Sequence, residues 1–199
     1  MMVARTRTIM KTSIALVFAL LTSGCFSTQV SVITPKPNIV FTQNSTKSLL
    51  LRIQKTVPDQ FTSPIVAGGS ETLVDGWRQT LANGFRSGFT GYFAPTPPGG
   101  ASDLRLEIER ADFEWARIGQ VRAAHVVYRA RLVDREGHSI ATASGTATSK
   151  MTWAYGSPME PCVASSVESM YEELTDKLLR DLERPRKKQP APAPGSTEI

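Results

Sequence analysis

The sequence predicts an α+β domain: a four-stranded, mainly antiparallel sheet with two helices packed on one face, in the order β-α-β-β-β-α. Three observations carry this. Residues 103–153 alternate apolar and polar side chains through three successive segments, the period of half-buried strands. Before them, Leu73, Val74, Trp77, Leu81, Phe85 and Phe89 fall at helical spacing. After them, Val163, Val167, Met170, Tyr171, Leu174, Leu178 and Leu182 do the same.

The first strand is read at residues 48–57, "SLLLRIQKTV", where Leu49, Leu51 and Ile53 share one face. Pro58, Pro64 and Gly68-Gly69 mark a loop, after which Ser70 is placed to cap the first helix. That helix ends by Pro95-Thr-Pro-Pro-Gly-Gly100. In "DLRLEIERADFEW", residues 103–115, the apolar set runs Leu104, Leu106, Ile108 and then slips phase to Ala111, Phe113, Trp115. A slip of one residue would turn every later side chain to the other face, so a bulge is expected near Arg110. The next strand, 121–133, turns Ala124, Val126, Tyr128, Ala130 and Leu132 one way and His125, Arg129 and Arg131 the other. "DREGH" is a hairpin turn leading to residues 139–153, whose Ala141, Ala143, Gly145 and Ala147 are small enough to lie beneath a helix. Pro158 and Pro161 precede the last helix, roughly 164–182.

Outside this body the composition changes. Residues 1–24 read as an export signal: Arg5, Arg7 and Lys11, an apolar run Ile14–Leu21, then Thr22-Ser23-Gly24. The run is well short of the roughly 20 residues a spanning helix needs. Residues 25–47 are polar and Pro-interrupted and read as a tether, and 183–199, "ERPRKKQPAPAPGSTEI", as a disordered basic tail. The net charge of +5 comes from these ends: residues 25–182 hold 16 Lys+Arg and 16 Asp+Glu. A neutral body argues against a nucleic-acid domain, which needs a basic face.

No catalytic constellation is expected. Glu107, Glu109, Asp112 and Glu114 alternate with arginines on a wetted sheet face and face further arginines across the hairpin. His125 is a strand residue and His138 a turn residue, too few to hold a metal. No cofactor motif is present. Cys162 reads as structural because no base accompanies it. The surface expected to face a partner carries Arg105, Glu107, Arg129 and Arg131, and charge reversal at Arg129 and Arg131 is expected to leave the fold intact. A second reading places an apolar ligand between helices and sheet, lined by Trp77, Phe85, Phe89 and Trp153.

"TSGC" resembles the lipobox of bacterial lipoproteins, with Thr22 where that family usually has Leu. The resemblance implies diacylglycerol on Cys25 and attachment to a membrane. The alternative is an ordinary cleaved signal, with Cys25 free to pair with Cys162. Phe26 stands where Asp would mark inner-membrane retention, so the resemblance implies the outer membrane, periplasmic face, with the inner membrane as the alternative. From about residue 25 to 182, "SLLLRIQ", "LANGFRSGF", "DLRLEIERADFEW" and "VVYRARLVDREGHSIATASG" follow the layout of the YajG-type envelope lipoprotein family. The layout is also similar to that of the lipopolysaccharide-assembly lipoprotein of the outer-membrane translocon. These resemblances imply a non-enzymatic accessory or scaffold in envelope assembly or transport, with a protein partner in the envelope.

Overall fold

The computed structural model describes residues 28–64, 71–96, 100–118, 121–154 and 157–180. The signal segment, Cys25 and the tail 183–199 lie outside these residues. In chain order the elements are β1 (Thr28–Val30), β2 (Leu49–Ile53), β3 (Gln60–Pro64), β4 (Glu71–Asp75), α1 (Trp77–Phe89), β5 (Leu104–Ile118), β6 (Val121–Asp134), β7 (Ser139–Trp153) and α2 (Glu160–Leu174). A π-helical turn, Thr175–Leu179, extends α2.

The expected α+β fold is present. Its main sheet has four strands in the order β2-β5-β6-β7. β2 runs parallel to β5 and the other pairs are antiparallel. Ser48 fixes the parallel register: its backbone N–H and its hydroxyl both donate to Asp103 Oδ2 at 2.9 Å. Along β5 the pairing passes from Ile108↔Ala130 to Arg110↔Arg129, leaving Glu109 as the bulged residue. The bulge falls where β2 ends, with Gln54 N–H donating to Ile108 O and the Thr56 hydroxyl to Glu109 O. It keeps Leu104, Leu106, Ile108, Ala111, Phe113 and Trp115 on one buried face. α2 packs over β6 and β7, with buried Ser165, Ser166 and Ser169 on the helix and small Ala143 and Ala147 on the strand permitting close approach.

A second sheet, in the order β1-β4-β3, corrects the expected element order. Residues 71–75 form β4, not the first turn of a helix, and β3 lies inside the expected loop. Thr72 and Val74 are buried while Glu71, Leu73 and Asp75 are less so, a period of two that the helical reading of Leu73 and Val74 overlooked. Gly76, at φ 65°, ends the strand in a conformation that side chains resist. α1 therefore starts at Trp77, and its first free N–H groups are taken by Asp59: Trp77 N–H donates to Asp59 O and Arg78 N–H to Asp59 Oδ1, both at 2.9 Å. Two indole hydrogen bonds tie these parts to the main sheet: Trp77 Nε1 of α1 donates to Ala111 O at 2.7 Å, and Trp115 Nε1 of β5 donates to Thr72 Oγ1 of β4 at 3.2 Å, joining the two sheets.

The expected tether is also corrected. Residues 33–39 form a strap across both helices, with Pro35, Pro37 and Ile39 buried and the residues between them exposed. On α1, Asn83 Nδ2 donates to Ile33 O and the Ser87 hydroxyl to Pro35 O. On α2, Glu168 accepts from Lys36 N–H at 2.8 Å and Glu172 from Asn38 N–H at 3.1 Å. Gly88 makes room for the strap, since a Cβ there would sit 2.6 Å from Pro37 Cγ. α2 begins at Glu160, earlier than the prolines suggested, because Pro161 falls in the first turn, where no N–H is needed.

Candidate functional site

Both helices lie on one side of the main sheet, and the other side is open among the described residues. The register places Arg52, Glu107, Arg131 and Thr142 in one row across the four strands of this open face. Arg105 lies in the adjoining row and Arg129 in the next row on the other side. All four residues expected to meet a partner are therefore on one surface.

Their roles differ, and Glu107 corrects the expectation. Its side chain is 1 % exposed, because three arginines cover it. Arg105 Nε donates to Oε1 at 2.6 Å, and Arg52 Nη1 lies 3.4 Å from the same oxygen. Arg131 donates to Oε2 through Nε at 2.8 Å and Nη2 at 2.6 Å. Burial pushes the Glu107 carboxyl up, but the hydrogen bonds from Arg131 and Arg105 outweigh it and leave the group below its ordinary value of 4.5. Glu107 is thus a clamp beneath the surface, fixing guanidinium groups above it, and not itself a contact residue. Arg131 also reaches Glu109 at 3.3 Å. Its charge reversal would set a carboxylate against Glu107, which argues against the expectation that reversal at Arg131 leaves the fold intact.

The Arg129 side chain is exposed and has no hydrogen bond or ion pair among the described residues. The bulge puts it directly opposite Arg110, which is itself bonded to Asp112 at 2.5 Å. Like charges directly opposed across strands are unfavourable. Beside Arg129 lies a shallow depression of about 340 Å³, bordered by Glu109, Thr142, Ala143 and Ser144.

The residues of the apolar-ligand reading separate into two groups. Trp77 and Trp153 are core residues, the latter donating from Nε1 to Ser157 O at 2.8 Å. Phe85 and Phe89 instead line a groove of about 370 Å³ with Leu49, Phe93, Ala94 and Pro95, at the C-terminal end of α1.

Other polar clusters have structural explanations. Cys162 is buried, with its sulfur donating to Met151 O at 3.1 Å and lying 3.2 Å from Ser149 Oγ. There it holds the irregular part of β7, where the register shifts between Ala123 and His125. Tyr128 donates to Glu173 and accepts from Lys177 Nζ, each at 2.7 Å, which fastens the π-helical turn to the sheet. At the β6–β7 turn, ligand atoms of Asp134, Glu136 and His138 lie within 4.8 Å of one another. Asp134 is already used there, accepting from His138 N–H at 2.7 Å.

The sequence does not reveal the part of Arg52 in the Glu107 clamp, because it depends on the long-range parallel register of β2 and β5. The phase slip at Arg110 was the available signal for the opposition of Arg110 and Arg129. No protein-family model and no curated protein matches the chain. Among the described residues, no helix is long and apolar enough to cross a membrane.

Proposed function

We propose that the chain is a lipid-anchored envelope lipoprotein, held through Cys25 at the periplasmic face of the outer membrane. In this reading it is a non-enzymatic accessory or scaffold that docks an envelope protein on the open sheet face. The observation that carries the docking role is Arg129, an exposed cation without a partner among the described residues, beside arginines held by Glu107. Fixed charges of mixed sign favour discrimination between partners over raw affinity. Glu107 supports the non-catalytic reading: both of its oxygens are committed to guanidinium groups and its proton affinity is lowered, the reverse of what a general acid or base requires. The anchor rests on the order of basic residues, apolar run, small residues and Cys25, and on the resemblance that order carries.

A photo-crosslinking residue at Thr142, on the open face, tests the docking role against one at Gln79 on α1. An adduct from Thr142 in intact envelopes, with none from Gln79, is expected; equal adducts would refute docking by this face. Labelled fatty acid should enter the wild type and not Cys25→Ser, and equal incorporation would refute the anchor.

The groove beside Phe85 and Phe89 favours one second reading, a carrier of an acyl chain or similar apolar ligand. Its volume is at the low end for ligand sites, which run from about 300 to 1,000 Å³. Saturable binding of a fluorescent fatty acid, lost in Phe93→Asp, is the outcome this reading requires.

A further inference from the structure

We infer that the occupant of the open face is an acidic segment of a protein partner, with a carboxylate of that segment on Arg129. This rests on the docking role proposed above and names the chemistry of the partner. Around Arg129 the face carries Arg52, Arg105, Arg110 and Arg131, against Glu107, Glu109, Asp112 and Glu114. Of these charges, Arg129 is the one left without a carboxylate among the described residues. On the far side α2 and its π-helical turn hold Glu160, Glu168, Glu172, Glu173 and Asp176 with Lys177, and Arg180 follows, while α1 adds Arg78 and Arg86 and no carboxylate.

The placement of Arg129 is unfavourable for the isolated domain. It faces Arg110 across the strand pair and gains no carboxylate in return. An incoming carboxylate would remove that imbalance. The surroundings suit one: the depression adds the hydroxyls of Thr142 and Ser144 to the Arg129 fork, and guanidinium groups match carboxylates bidentately. Arg105 and Arg131 are pinned by Glu107, so little ordering remains to be done on binding. Leu50 and Ile140, 46 % and 42 % exposed, flank the arginine rows on the two outer strands and offer apolar contacts to a protein segment. Glu109 borders the same depression, but Arg131 holds it at 3.3 Å. Asp112 and Glu114, farther along β5, would repel a plane of anionic lipid headgroups, whereas a discrete segment can avoid them.

The test measures binding of a fluorescent ten-residue oligo-glutamate peptide to the full chain by anisotropy at low salt. The wild type is compared with Arg129→Gln and with Arg135→Gln, a control in the hairpin turn. Vesicles of phosphatidylglycerol are the competing probe. Binding of the peptide that weakens about five- to tenfold in Arg129→Gln and is unchanged in Arg135→Gln is expected, as for loss of a charge-assisted hydrogen bond at a partly exposed site. Peptide binding indifferent to Arg129, or Arg129-dependent binding to vesicles but not to the peptide, would overturn the inference. The two proposals fail differently. A Thr142 adduct in envelopes that persists in Arg129→Gln leaves docking in place and overturns the acidic partner. Arg129-dependent peptide binding without any Thr142 adduct keeps the chemistry and overturns the docking role.

Discussion

On the helix-covered face of the main sheet, Leu106, Ile108, Tyr128 and Leu132 are buried beneath the helices, while one residue along the same strands the open face carries Arg105, Glu107, Arg129 and Arg131. The covered face is layered further, since the strap at residues 33–39 lies over both helices. Its order comes from apolar burial, which is non-directional and tolerates little change in volume. The open face is ordered by charge around one buried carboxylate, and it contains a residue, Arg129, on which that order does not depend. In the proposed reading, stability and recognition fall on opposite sides of the same strands. Substitutions on the two sides should separate accordingly.

The largest effect belongs to the covered face. Leu132→Ala, at a fully buried position, should lower unfolding free energy by about 2–5 kcal/mol in a urea titration. Thr142→Ala, on the open side of the neighbouring strand, should stay within about 0.5 kcal/mol in the same titration. Next comes the strap. A side chain at residue 88 would meet Pro37 Cγ at 2.6 Å and Ile39 Cδ1 at 3.0 Å, so Gly88→Val should cost about 1–3 kcal/mol and speed proteolysis at residues 33–39. Unchanged proteolysis would return that segment to the status of a free tether.

Glu107→Gln is the intermediate case, because it alters the open face where that face is buried. Removal of charge-assisted hydrogen bonds to half-exposed arginines should cost about 1–2 kcal/mol at neutral pH. The folded carboxyl lies below its ordinary value of 4.5, so its contribution is complete above that pH and is lost as pH falls through the folded value. Urea midpoints of the wild type should therefore decline on acidification below pH 4.5 more steeply than those of Glu107→Gln. Parallel declines would mean that the clamp adds nothing to stability.

This division also explains which features were legible in the sequence. β5, β6 and β7 have one buried face each, so their alternation shows, and the slip between Ile108 and Ala111 showed the bulge. α2 was legible from its long apolar stripe. β4 was not, because five residues ending in Leu73-Val74-Asp75 fit a helical stripe as well as a strand, and its partners are short β1 and β3. The strap was hidden because Pro35 and Pro37 read as linker residues, although both are buried against the helices. The four residues expected on the open face were placed there correctly, since parity alone decides the face. Parity does not decide burial: Glu107 points away from the core and is still covered, by side chains from β2, β5 and β6 whose alignment is set over long sequence distances.

The separation of the two faces is tested most directly by Arg129→Glu with a photo-crosslinking residue at Thr142. The melting temperature and the yield of the envelope adduct are measured on the same variant. The account predicts loss of the adduct with a melting temperature close to that of the parent, since Arg129 has no partner among the described residues. An adduct at parental yield would contradict it and leave the open face as a solvated surface only.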